Sequence, residues 1–101
     1  MAAIQYNAHL HAAITQQDYD WAEVSLMFGA DCNCVDEEGN TPLHLLVLHV
    51  DDRFDDFFSL IMKFGAKLDY KNKMGLTPVE LAQEHDKWDM ALMMSSYFID
   101  R

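Results

Sequence analysis

The sequence predicts an all-α fold, a solenoid of about three helix-turn-helix units with short finger loops, laid out as a single domain over residues 1–101. Three observations predict it. A Thr-Pro-apolar phrase occurs in GNTPLHL at 39–45 and again in LTPVEL at 76–81, with a weaker copy, AHLHAA, at 8–13. A second phrase, Phe-Gly-Ala, closes an apolar run at 28–30 and again at 64–66. Behind these phrases apolar residues recur at i, i+3, i+4 and i+7, the period of a helix that buries one face. His11 and His44 are 33 residues apart, whereas Thr41 and Thr77, like Gly29 and Gly65, are 36 apart. The underlying period is therefore 33, with three extra residues in the second copy.

The elements follow in order, in units of roughly 5–37, 38–73 and 74–101. Each unit reads helix, tight turn, helix, extended finger. In the first, Ala8 and His9 stand in place of Thr and Pro, and Leu10-His11 repeats Leu43-His44. In the second and third, Thr41 and Thr77 are N-cap residues whose side-chain oxygens accept from orphan backbone N–H groups. Pro42 and Pro78 then occupy the first turn, where a missing N–H costs nothing. Leu43, Leu46, Val47 and Val50 form one helical face, and Phe57, Leu60, Ile61 and Phe64 form a second. Gly29 and Gly65 end the second helices, where a residue without a Cβ adopts left-handed backbone easily. Asp36-Glu37-Glu38-Gly39 and Lys71-Asn72-Lys73-Met74-Gly75 are turn tips of the fingers. No unit can bury its apolar faces alone, so the units stack.

A period of 33 carrying Thr-Pro-Leu-His resembles the ankyrin repeat. The stretch GADCNCVDEEGNTPLHLLV is close to that family's pattern along its whole length, and the resemblance extends over essentially the whole chain. It implies that His11 and His44 are structural, hydrogen-bonded to neighbouring backbone. It also implies a binding scaffold whose contacts lie on a concave face, built from finger tips and the exposed ends of the first helices. On this chain those positions are Thr15, Gln16, Glu37, Glu38, Asn40, Leu48, His49, Lys73, Met74, Leu76, Glu84 and His85.

Charge narrows the partner. The formal net charge is −10, and residues 1–52 contain nine acids with no Lys or Arg. Such a surface does not bind nucleic-acid phosphates directly, and anionic membranes are disfavoured for the same reason. It steers in a protein partner with a basic or mixed surface, or it simply keeps the chain soluble. No apolar run approaches the ~18 residues of a spanning helix, and the N-terminal stretch lacks a signal peptide's basic region. Cys32 and Cys34, one residue apart, suit a reducing compartment better than a disulfide. The expected location is intracellular: the cytoplasm or, for a viral or bacterial effector, the host cytoplasm.

Candidate chemistry is sparse. Cys32-x-Cys34 puts both thiols on one side of an extended finger, but zinc needs about two further ligands, and nothing in the sequence brings His9 or His11 near. His9 and His11, two apart on a helix, face different directions. Glu84-His85-Asp86 has no companion nucleophile and reads as a solvated helix end. Phosphate loops, nucleophile elbows and His-Glu-x-x-His helices are absent from the sequence, so neither an enzyme, a cofactor nor a metal is expected.

Two features are individual to this chain. The insertion HVDDRFDDFF at 49–58 lengthens a turn that in the resembled family is shorter and contains Gly. It offers the acids Asp51, Asp52, Asp55 and Asp56 for steering on either side of Arg53, and Phe54 as an apolar anchor, or else it is a solvated turn whose acids favour the following helix N-terminus. The tail, MALMMSSYFIDR, is apolar for a terminal unit, and Phe98 replaces an expected Gly. The last helix is therefore expected to run on and pack against a second copy or a partner, the alternative being that its methionines fill irregular gaps in the core.

The reading that follows is a non-enzymatic protein-binding module. Three units between Met1 and Arg101 suggest a small inhibitor or adaptor that occludes a basic or mixed partner surface. One alternative is an acidic nucleic-acid mimic, with Glu37, Glu38, Asp51, Asp52, Glu84 and Asp86 as a stripe that plugs the groove of a partner such as a nuclease. A further alternative is a structural homodimer formed through the C-terminal helix.

Overall fold

The computed structural model describes residues 6–99, which form α1 (Tyr6–Thr15), α2 (Tyr19–Met27), α3 (Pro42–His49), α4 (Phe54–Lys63), α5 (Pro78–Glu84) and α6 (Trp88–Ile99), with no strand among the described residues. The helices pair as hairpins, α1 with α2, α3 with α4 and α5 with α6. The first members stack in a row, α1 on α3 and α3 on α5. The second members form a looser outer row: α2 meets α4, and α4 and α6 approach each other less closely still. The result is an elongated body of 42 × 27 × 26 Å.

The helix starts rest on local chemistry. Thr41 Oγ1 accepts from the His44 N–H, and His44 Nδ1 accepts in return from the Thr41 N–H at 3.0 Å. Thr77 and Glu80 make the same reciprocal box, at 3.2 and 3.0 Å. Both prolines follow at the first helical position, as their fixed φ favours. Asp18 caps α2 by accepting from Trp21 N. At the far ends, Gly29 (φ +110°) and Gly65 (φ +97°) take the left-handed backbone expected just past α2 and α4.

One core runs through all three hairpins. Leu10 and Ile14 of α1, Leu43, Leu46 and Val47 of α3, Phe57 and Ile61 of α4, Ala82 of α5 and Met94 of α6 are fully buried. Every residue of α3 from Pro42 to Val47 is buried, because that helix has neighbours on both sides. Phe64 departs from expectation: it is 39% exposed. It is the C-cap of α4, with φ −92° and ψ 5°, and so sits outside the last regular turn, off the stripe of Phe57, Leu60 and Ile61.

The inter-helix turns differ in a way that matters below. The first and third are short, and each uses a non-glycine residue in left-handed backbone, Gln17 (φ 58°) and Asp86 (φ 60°). In the second, the insertion allows Val50 to leave α3 in extended conformation (φ −119°, ψ 130°) and Asp51–Arg53 to loop into α4.

Candidate partner-binding surface

The fingers are held by a ladder of polar contacts. Asp36 Oδ1 accepts from the Glu38 and Asn40 N–H groups at 2.8 and 2.9 Å. Asn72 Oδ1 does the same for Met74 and Leu76, at 3.0 and 3.1 Å. The two tips are therefore copies of one Asx turn. They are tied side by side: Lys73 N–H donates to Glu38 O at 2.9 Å, and Asn72 Nδ2 donates to Asn40 Oδ1 at 2.9 Å. Gly39 (φ +76°) permits the approach, since a Cβ there would lie 2.9 Å from Lys73 N. His44 completes the tie, its Nε2–H donating to Leu76 O at 2.7 Å.

That contact fixes the tautomer: Nδ1 accepts within the capping box, so Nε2 carries the hydrogen. Burial holds the His44 imidazole below its ordinary pKa, and so neutral. Glu80, at the matching position of the third unit, makes only the capping half of this arrangement. A His is required where a following finger must be reached; a Glu suffices where only the cap is made.

The fourteen sequence-predicted contact residues fall into two groups at opposite ends of α3, a helix about 12 Å long at 1.5 Å per residue. At the finger end, Glu37, Glu38, Lys73 and Met74 project into solvent, Met74 at 78% exposure. Leu76 is half-buried beneath them. Asn40 is buried at 7% exposure and engaged with Asn72, so it braces the surface instead of contacting a partner. At the turn end lie His49, Asp51, Asp52, Arg53, Glu84 and His85, all exposed, with Leu48 half-buried.

Phe54 is a correction. It was expected as an exposed anchor in the inserted turn, but it is the first residue of α4, 3% exposed and stacked on Phe58 with centroids 5.5 Å apart. Arg53 is likewise engaged: its guanidinium lies 5.0 Å from the Tyr19 ring centroid, and Nε is 3.4 Å from Asp56 Oδ2. The predicted acidic stripe is also divided, with Glu37 and Glu38 at one end of the buried α3 and Asp51, Asp52, Glu84 and Asp86 at the other.

The cysteines correct a second expectation. Residues 32–33 form a turn, closed by Cys34 N–H to Asp31 O, so the two thiols diverge. Cys32 Sγ donates to Phe64 O at 3.2 Å in the next unit, while Cys34 Sγ lies 3.1 Å from His11 Nε2. The fold thus brings His11 to Cys34, which spacing alone did not indicate. Burial, reinforced by Asp31, raises both thiols, Cys34 to about 12, so they are protonated packing groups. No cluster of three or more metal-ligating side chains occurs among the described residues. No helix among them is long and apolar enough to cross a membrane.

At the C-terminal end, α6 continues through position 98 to Ile99 without a break. Met90, Ala91 and Met94 face the core, while Trp88 and Leu92 are 53% and 69% exposed. The side chains of Tyr97, Phe98 and Ile99, together with Arg101, lie outside the described residues.

The hairpin stack, the paired Asx finger tips and the Thr-Pro boxes define a repeat scaffold for binding other proteins. Comparison with known proteins agrees. A family model for ankyrin repeats (many copies) matches residues 9–46. An ankyrin repeat protein of Rickettsia felis is 38% identical over 60 residues, covering 52% of this chain and 24% of the relative. The fowlpox virus ankyrin repeat protein FPV031 is 24% identical over 97 residues, 92% of this chain and 28% of the relative. A fem-1 homolog of Drosophila melanogaster is 41% identical over 56 residues, 55% of this chain and 8% of the relative. Residues 9–46 thus match the ankyrin-repeat model, the chain is similar to ankyrin-repeat proteins, and it spans less than a third of the length of each of these relatives.

Proposed function

We propose that this ankyrin module acts without catalysis, as an inhibitor or adaptor that covers a basic or mixed surface of a partner protein. The observation that carries the reading is the pair of locked finger tips. Backbone and side-chain bonds hold both tips in one geometry, so Glu37, Glu38, Lys73 and Met74 are presented with little ordering left to lose on binding. Three charged groups around one exposed Met match a partner patch that is basic with an apolar centre. The deficit of cations before Arg53 supports steering toward such a partner. The two protonated thiols suit a reducing, intracellular setting.

The test is capture from cells of the native source at two salt concentrations, comparing wild type with a Glu37→Gln/Glu38→Gln/Met74→Ala variant of unchanged melting temperature. A protein retained by the wild type at moderate salt and lost from the variant is the expected result. Equal retention by both refutes the finger-tip reading. Release at moderate salt together with competition by nucleic acid would instead favour the acidic mimic.

A further inference from the structure

The turn end of the stack carries a second feature, distinct from the finger tips. Because α4 and α6 approach each other so little, an open groove of about 550 Å³ separates the start of α4 from the start of α6. Its floor is apolar, made by Phe54, Met90 and Met93, and Trp88 stands at its side, 53% exposed. Its walls are the inserted turn and the α5–α6 turn, so the three-residue insertion that breaks the repeat period also shapes this groove.

The charge around that floor is one-sided. Asp51, Asp52, Asp55, Asp86 and Asp89 line the groove against a single ammonium, that of Lys87. Lys87 shows what the walls accept: its Nζ–H donates to Val47 O and lies 3.5 Å from Asp51 Oδ1. That pair accounts for one carboxylate, and Asp52, Asp55, Asp86 and Asp89 have no ion-pair partner among the described residues.

We propose that this groove docks a Lys- or Arg-bearing segment of a partner protein, with one apolar side chain of that segment seated against the half-buried Met93, over the largely buried Phe54 and Met90. Complementarity of charge selects the occupant: an acidic or neutral segment would add like charge or leave the four carboxylates uncompensated. The ring of Trp88, beside the carboxylates, supplies a face for a guanidinium or ammonium. The insertion is then a specificity device at the end of the stack opposite the fingers, and the module engages partners at both ends.

The test uses the full chain with Trp21→Phe, leaving Trp88 as the fluorescent reporter. The probes are a short Lys–Leu peptide patterned to place its leucines on one helical face, a Lys–Gln peptide of equal charge, and a Glu–Leu peptide. The expected result is saturable binding of the Lys–Leu peptide with a shift in Trp88 emission, and no binding of the Glu–Leu peptide. Asp52→Asn/Asp55→Asn/Asp86→Asn/Asp89→Asn should bind roughly tenfold more weakly, while Glu37→Gln/Glu38→Gln binds as wild type does. Trp88→Ala, followed by calorimetry, should also weaken binding; its exposure makes it harmless to folding, so the test survives if the fourfold variant proves unstable. Unchanged affinity in the groove variants overturns the proposal. So do equal binding of the Lys–Gln peptide, or no saturable binding at all. Loss confined to the finger-tip variant overturns it too, while leaving the finger-tip function standing.

Discussion

Replacing His44 with Ala should be the most informative single change to the stack. The imidazole is fully buried and joins two units: Nδ1 accepts from Thr41 N–H, and Nε2–H donates to Leu76 O at 2.7 Å. Its removal leaves the buried Thr41 N–H unsatisfied, worth about 1–3 kcal/mol, and the part-buried Leu76 O without its donor. The ring also leaves a cavity, which adds to the loss. The expected cost is about 3–5 kcal/mol, a large part of the ~5–15 kcal/mol that holds a domain of this size together. His11→Ala is the natural comparison. His11 is half-buried and its Nε2 sits 3.2 Å from Cys34 O, within reach of replacement by water, so its loss should cost only about 0.5–1.5 kcal/mol. Urea unfolding followed by circular dichroism measures both, and the melting temperature of His44→Ala should fall by about 12 °C or more. Equal costs for the two variants, or a larger cost for His11→Ala, would refute the assignment of His44 as the tie between units.

Three further outcomes follow from the geometry. Burial lowers the His44 pKa, so its contribution is complete above the unfolded value of about 6.5 and is lost as pH falls through the folded value. The urea midpoint should therefore drop between pH 7.5 and 5.5, and drop less in His44→Ala. Phe54→Ala should cost about 3–4 kcal/mol, as a core residue does, when measured by the same unfolding assay; a value under 1 kcal/mol would return Phe54 to the surface. Gly39→Ala should destabilise by about 1–3 kcal/mol and exceed Gly75→Ala in chemical denaturation, since both have positive φ but only Gly39 faces backbone, at 2.9 Å.

What was legible in the sequence was whatever depends on near neighbours along the chain. Thr41, Pro42, Thr77 and Pro78 announce helix starts because capping and a fixed φ act over three or four residues. The period of 33 located the fingers and the stacking core, because copies of one hairpin must bury the same positions. The failures came where a side chain's fate is decided by the adjacent unit or by an irregular turn. Asn40 is buried because Asn72 reaches it from the next finger, and no local pattern indicates that. Phe54 looked like part of a long polar turn because Asp51, Asp52, Asp55 and Asp56 surround it; those on its helical side are first-turn acids of α4, and the Phe points inward. The Cys34–His11 contact depends on the turn at residues 32–33, which a reading of the finger as extended backbone misses. The groove was hidden because it arises from the separation of α4 and α6, a property of the stack and not of any segment.

The central claim is that the three hairpins share one core and behave as one cooperative body. Trp21 in α2 and Trp88 in α6 report on its two ends. In single-tryptophan variants, Trp21→Phe and Trp88→Phe, urea unfolding should give coincident transitions, and Leu46→Ala, at a fully buried position of the middle hairpin, should shift both midpoints together. Separate transitions, or a shift at one end alone, would mean that the hairpins unfold independently and would contradict the account.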